Sequence, residues 1–245
     1  MREFVYLSET KLSQFRSDRS PVPVPGAVGL TTPFGGVEVT SRGPDAERLR
    51  RRKLRQVEKY LAAQADWFTA QGLRPGRWVR YEAPLRVVTL RGSHQDLVLF
   101  VDPAPGEDPE YDRESDGRLL LHGSAHHLVG GPPPAVDGPS LGYHPGAETS
   151  GGSFVRTVVG EVVRALELEL ALENGASAGA GGSAALPGPG VRDLLRSLDL
   201  TGPEVSTAAR VAGYARVTAV LPATDAVPRC LVASPLGVEY HSGPR

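Results

Sequence analysis

The chain has 245 residues, of which 40% are hydrophobic, 22% charged and 6% aromatic, and its formal net charge is −1. That is apolar material for one sizeable core or two small ones. No run approaches the roughly 18 apolar residues of a membrane-spanning helix, the lone Cys230 excludes a disulfide framework or a multi-cysteine metal site, and a near-zero balance argues against coating nucleic acid through bulk charge.

Residues 3–8 read as a strand rich in aromatic and β-branched side chains. Ser8-Glu9-Thr10-Lys11-Leu12 follows as a turn or a short helix start. Residues 20–36 hold four prolines, which excludes regular helix there. Gly36-Val37-Glu38-Val39-Thr40 alternates as a short strand. A helix is predicted over 44–71, because Leu49, Leu54, Val57, Leu61 and Phe68 recur near one stripe, with Gly72 and Pro75-Gly76 as its stop. Strands are predicted at 77–82, 85–90, 96–101 and 118–122, with an acidic loop at 103–117. Residues 130–152 are mostly Gly, Pro and Ser and read as an exposed flexible loop. A second helix is predicted over 153–173, capped by Ser153 and closed by Asn174-Gly175, with a broad apolar face that includes Val162, Val163 and Leu166. The Gly/Ala-rich stretch 175–190 has linker composition. A short helix at 191–199, a strand at 210–221 and a pair at 229–234 and 237–241, turning at Ser234-Pro235-Leu236-Gly237, complete the chain.

Strands and helices do not alternate regularly, so a doubly wound parallel sheet is not favoured. The expectation is a single α+β domain over 1–245. Its mixed, largely antiparallel sheet would have about six to eight strands, with the helices 44–71 and 153–173 packed on one face.

Three of the six histidines lie in Leu121-His122-Gly123-Ser124-Ala125-His126-His127-Leu128. In an extended chain His122, Ser124 and His126 would share a face. Two imidazoles and a hydroxyl so placed could hold a metal, given a third ligand, or activate Ser124, given a carboxylate behind the base. The residues name neither partner, so no catalytic group, metal ligand or cofactor is assigned. His122, Ser124, His126 and His127 stand as candidate binding residues. There is no Gly-x-Ser-x-Gly elbow and no phosphate loop. Cys230 lies within a predicted strand, where a buried structural thiol is the default.

Arg48, Arg50, Arg51, Arg52, Lys53 and Arg55 place six cations in eight residues, a run that could grip phosphates or another anion. Glu107, Asp108, Glu110, Asp112, Glu114 and Asp116 form an acidic counterpart. The two could neutralise each other within one molecule or between copies, which leaves a homo-oligomer open.

Lysine occurs only at Lys11, Lys53 and Lys59, isoleucine is absent and Asn174 is the sole asparagine, the usage of a GC-rich genome. The opening Arg2-Glu3-Phe4-Val5-Tyr6-Leu7-Ser8-Glu9-Thr10-Lys11-Leu12, together with Leu121–Leu128 and Val232-Ala233-Ser234-Pro235-Leu236-Gly237-Val238-Glu239, resembles a family of uncharacterised actinobacterial proteins. The resemblance implies an accessory role beside bacterial signalling or defence genes and carries no activity. Met1–Tyr6 lacks the apolar core of a signal peptide, which points to the cytoplasm. The reading is therefore a non-enzymatic cytoplasmic accessory or sensor-type protein that binds a small ligand or a protein partner. A hydrolase or metal-dependent enzyme using His122, Ser124 and His126 is the alternative. A nucleic-acid binder using Arg48–Arg55 ranks third.

Overall fold

The computed structural model describes residues 3–15, 44–91, 94–130, 135–137, 160–168, 186, 188–205, 207–225 and 227–241. In chain order the elements are β1 (Phe4–Leu7), α1 (Glu9–Gln14), α2 (Pro44–Ala62), β2 (Asp66–Trp67), β3 (Trp78–Arg91), β4 (Leu97–Val101), α3 (Pro109–Ser115), β5 (Arg118–Ser124), β6 (Ala135–Asp137), α4 (160–168), α5 (Gly188–Val205), β7 (Ala209–Leu221) and β8 (Cys230–Tyr240).

All eight strands belong to one mixed, mostly antiparallel sheet, and β3 closes it. The first part of β3, Trp78 to Leu85, pairs antiparallel with β7, and the next, Arg86 to Thr89, pairs antiparallel with β4. β4 pairs with β5, β5 runs parallel to β8, and β8 returns antiparallel to β7. The ring β3-β4-β5-β8-β7, with α4 and α5 inserted before its last two strands, has the strand order of an OB barrel. β1 extends the sheet along β8, while β2 and β6 flank β3.

Pleating sends alternate side chains to opposite faces. Val79, Tyr81, Ala83 and Leu85 of β3, Phe100 of β4, Leu119 and Leu121 of β5, and Leu231 and Ala233 of β8 fill the barrel together with Tyr6 of β1. The outer face carries two more clusters. Leu97, Leu99, Leu120 and Val232 meet Val162, Val163 and Leu166 of α4 and Leu194 and Leu198 of α5. Leu7, Leu12 and Leu236 meet Leu54, Val57 and Leu61 of α2. Each such leucine contributes about 1.5–3 kcal/mol on full burial, so tertiary packing, more than local propensity, holds α2 and α4 against the barrel.

The expected fold class is present, with α2 and α4 on one face of the sheet. The structure differs in five places, the first being that the stretch expected as an exposed loop at 130–152 contributes β6, which pairs parallel with the end of β3. α2 ends at Ala62, not at residue 71, because the spacing of Leu61 and Phe68 spans a chain reversal: Leu61 packs under α2, whereas Phe68 joins the barrel cluster. The strands expected at 77–82 and 85–90 are one strand, with Pro84 near the point where β3 exchanges β7 for β4, so its missing N–H disturbs little pairing. Ser234-Pro235-Leu236-Gly237 is no turn. β8 runs on through it, and its register with β7 slips between Tyr214 and Ala215, a bulge beside a proline that cannot donate to the ladder. The acidic loop contains α3, started by the Asp108 cap accepting from Tyr111 N–H at 3.0 Å and ended by Asp116 in the left-handed region. The strand expected at 36–40 lies outside the described residues, as do most of the loop at 130–152, most of the linker at 175–190 and both ends of the helix expected over 153–173.

Candidate functional site

The histidine segment does not stay extended. β5 ends at Ser124, whose Oγ accepts from His126 N–H at 3.4 Å and starts a single 3-10 turn over Ala125–His127. The alternation therefore holds for His122 and Ser124 and stops before His126. His126 points outward, its Nε2 3.3 Å from Asp96 on an exposed pair. His127 packs edge-on against Tyr6, with ring centroids 5.8 Å apart. His122 is fully buried on the outer face of β5, with Nε2 3.3 Å from Thr218 Oγ1. Nearby, the buried Lys11 donates from Nζ to Ser234 Oγ at 2.7 Å. Burial, and then the charge of Lys11, push the His122 ring down to about 3, so it is neutral at neutral pH.

A second cluster joins β3, β4, β5, α3 and α5. Asp102, fully buried, accepts from Arg118 Nε at 2.8 Å, from Leu119 N–H at 2.7 Å and from the Tyr111 hydroxyl at 3.3 Å. Arg118 donates both terminal nitrogens to Asp199 at 2.9 Å, the planar fork that suits a guanidinium. Arg86 reaches the same Asp199 at 3.3 Å and Glu107 at 3.7 Å. Burial raises the Asp102 carboxyl to about 6 against the pull of Arg118, so the pair is still charged at pH 7. Cys230 lies in the adjoining cluster, its thiol pushed up to about 12 by burial. These groups tie β5 to α5 and α3 and line neither of the cavities beside α2.

His122 has a measurable signature. Its folded pKa lies near 3 and the unfolded value near 6.5. Its contribution is whole above pH 6.5 and declines by about 1.4 kcal/mol per unit below, because only the unfolded chain takes up the proton. Asp102, raised in the folded state, acts in the opposite sense between about 6 and the ordinary 3.8. Comparison with His122→Gln, which keeps Asp102, isolates the ring. By denaturant titration, wild type is expected to lose about 2 kcal/mol more than the variant between pH 7 and pH 5. Equal losses would show that the ring titrates normally.

The open surface lies around α2. Two cavities meet at Phe4, Leu54 and Glu58, which line both. One, of about 320 Å³, extends to Trp67, Arg80 and Glu82. The other, of about 580 Å³, extends to Leu7, Arg51 and Arg55. Arg80 lies over the Trp67 ring, 5.0 Å from its centroid. Glu82 accepts from Arg210 Nε at 2.9 Å, with His241 Nε2 3.6 Å away. Together they form one trough with Phe4 and Leu54 at its middle, Arg51 and Arg55 at one end, Arg80 and Glu82 at the other, and Glu58 where the two cavities meet. The cationic run is divided: Arg50 pairs with Glu9 of α1, Lys53 is half-buried, and Arg48, Arg51, Arg52 and Arg55, joined by Lys59, line one exposed stripe.

Residues 2–241 match a family described as a family of unknown function (DUF7019). The chain belongs to that family. No curated protein and no solved structure matches it. A DUF7019 membership covering nearly the whole chain agrees with the resemblance read from the N-terminal, His122-containing and Val232–Glu239 blocks, and it assigns no chemistry. Among the described residues of this DUF7019 chain, no group of three or more His, Cys, Asp or Glu side chains could hold a metal ion, and no helix is long and apolar enough to cross a membrane.

Sequence reasoning missed the trough. Phe4 and Leu54 look like ordinary core residues of a strand and a helix. Trp67 and Arg80 meet only because β2 runs parallel to β3 with Trp67 opposite Arg80. No periodicity announces that register. The one legible sign was the density of arginine on α2.

Proposed function

We propose that this protein is a non-catalytic binding module whose ligand lies in the trough between α2 and β1. The observation that carries the reading is the junction of two cavities at Phe4, Leu54 and Glu58, which joins an apolar floor to the Arg51 and Arg55 guanidiniums. Such a site takes a small molecule with an apolar body and an anionic end: the body displaces water from Phe4, Leu7 and Leu54, and the guanidiniums fork onto the anion. The side chains of catalytic type support the reading from the other side. His122 and Cys230 are sealed in packing, Asp102 is committed to Arg118, and Ser124 caps a turn. The accessory or sensor role implied by the family resemblance suits a module that reports a ligand, and a single buried thiol suits a reducing compartment such as the cytoplasm.

The dye 1-anilinonaphthalene-8-sulfonate, an aromatic body bearing a sulfonate, probes the site directly. Saturable binding to wild type is expected, weakened at least about tenfold in Arg51→Glu/Arg55→Glu. Unchanged near-ultraviolet circular dichroism in both proteins excludes dye uptake by a loosened core. A wild type that does not bind, or a double variant that binds as well, removes the trough as the ligand site.

A further inference from the structure

We propose that the outward stripe of α2 binds the phosphodiester backbone of a nucleic acid without reading its sequence. This inference rests on the solvent side of the helix, whose stripe shares Arg51 and Arg55 with the trough wall, while Arg48, Arg52 and Lys59 lie outside the trough. Arg48, Arg52, Arg55 and Lys59 follow one another at intervals of four, three and four residues, with Arg51 beside them, so all five share one exposed face. Among the described residues, no carboxylate pairs with Arg48, Arg52, Arg55 or Lys59. From Arg48 to Lys59 the helix rises about 16 Å, the axial length of about five phosphates on one strand. Charge count and length therefore match a short run of backbone.

The chemistry favours phosphodiester over a lipid surface. A helix that lies in a membrane interface must offer an apolar face to the acyl chains. Most of the apolar face of α2, formed by Leu54, Val57 and Leu61, packs on Leu7, Leu12 and Leu236, which leaves Leu49 and Tyr60 as its exposed large hydrophobics, too few for a continuous apolar face. Four of the five stripe cations are arginines, whose planar fork matches phosphate oxygens. The overall charge of −1 does not oppose this, because α2 carries seven cations against three carboxylates. Glu110, Asp112 and Glu114 lie on α3, a different element, so the field over α2 is local. Contacts to phosphate alone fix position and carry no base preference.

The test is the salt dependence of binding to a mixed-sequence 24-base-pair DNA duplex, followed by fluorescence anisotropy between 50 and 200 mM NaCl. Four phosphate contacts, from Arg48, Arg52, Arg55 and Lys59, give a slope of log K against log salt of about −3.6, and Arg48→Gln/Arg52→Gln/Lys59→Gln is expected to reduce it to about −0.9 and to weaken binding at least tenfold at 50 mM. Arg164→Gln/Arg196→Gln, which removes two exposed arginines elsewhere, is expected to bind as wild type does. A second duplex of unrelated sequence is expected to bind equally. The proposal is overturned by a wild type that does not bind, by a triple variant with an unchanged slope, by equal weakening in the control variant, or by binding to phosphatidylserine vesicles in place of DNA. The three substituted residues lie outside the trough, so dye binding to the triple variant reports separately on the ligand site.

Discussion

Arg118→Met is expected to cost about 3–5 kcal/mol of folding stability, a large share of what an ordinary domain possesses. The loss comes less from missing attraction than from what remains behind. Asp102 has no solvent exposure, so without the guanidinium its already raised carboxyl must either stay charged in the interior or take up a proton there, and Asp199 loses its two-bond partner and keeps Arg86 at 3.3 Å. Arg118 also donates to the Asp102 carbonyl at 3.3 Å, a contact methionine cannot make. Arg118→Lys is expected to recover only part of the loss, because a single ammonium cannot meet Asp199 with two parallel bonds and Asp102 with a third. Denaturant titration at pH 7 measures both. A methionine variant within about 1 kcal/mol of wild type would mean that the network is not the tie between β5 and α5 described above.

Gly213→Ala is expected to be at least as damaging. A Cβ placed there would lie 2.1 Å from the Gly237 carbonyl oxygen and 2.7 Å from the Tyr81 hydroxyl. The first neighbour is backbone in the paired strand, and Tyr81 is itself fully buried and donates to Gly237 O at 2.9 Å. Neither can move without parting β7 from β8 or expelling Tyr81 from the barrel, so the cost exceeds the usual overpacking range of about 1–3 kcal/mol. Gly237 provides the contrast. A Cβ at that position meets nothing closer than 3.5 Å. Gly237→Ala is expected to stay within about 1 kcal/mol of wild type. Thermal unfolding of the two variants side by side decides it, and similar melting temperatures would remove the close approach as an explanation.

The elements that were legible in the sequence are those whose pattern is local. α2 declared itself through Leu54, Val57 and Leu61, and β4 through a short apolar run. Closure of the sheet was not legible, because it depends on Trp78 to Leu85 choosing β7 as partner from more than a hundred residues away. Pro84 and Pro235 misled for a related reason. Proline signals a break wherever its missing donor would be needed, and here both fall where the ladder is changing partner or slipping register. The site followed the same division. The arginine run could be read as a surface feature, whereas its separation into an ion pair with Glu9, a trough wall and an outward stripe required the helix to be docked. His122 and His126 looked alike as letters. The 3-10 turn after Ser124 buried one ring and exposed the other.

The ring of strands also sets the order in which the chain can assemble. β3, β4 and β5 are successive strands with nearest-neighbour pairings, and β7 and β8 form a hairpin of their own. Each of these units can form early at small entropic cost, but the β3–β7 and β5–β8 seams must wait until the two have met across the intervening helices. Docking of two preformed halves is then the step expected to limit folding, because it closes the seams of greatest sequence separation.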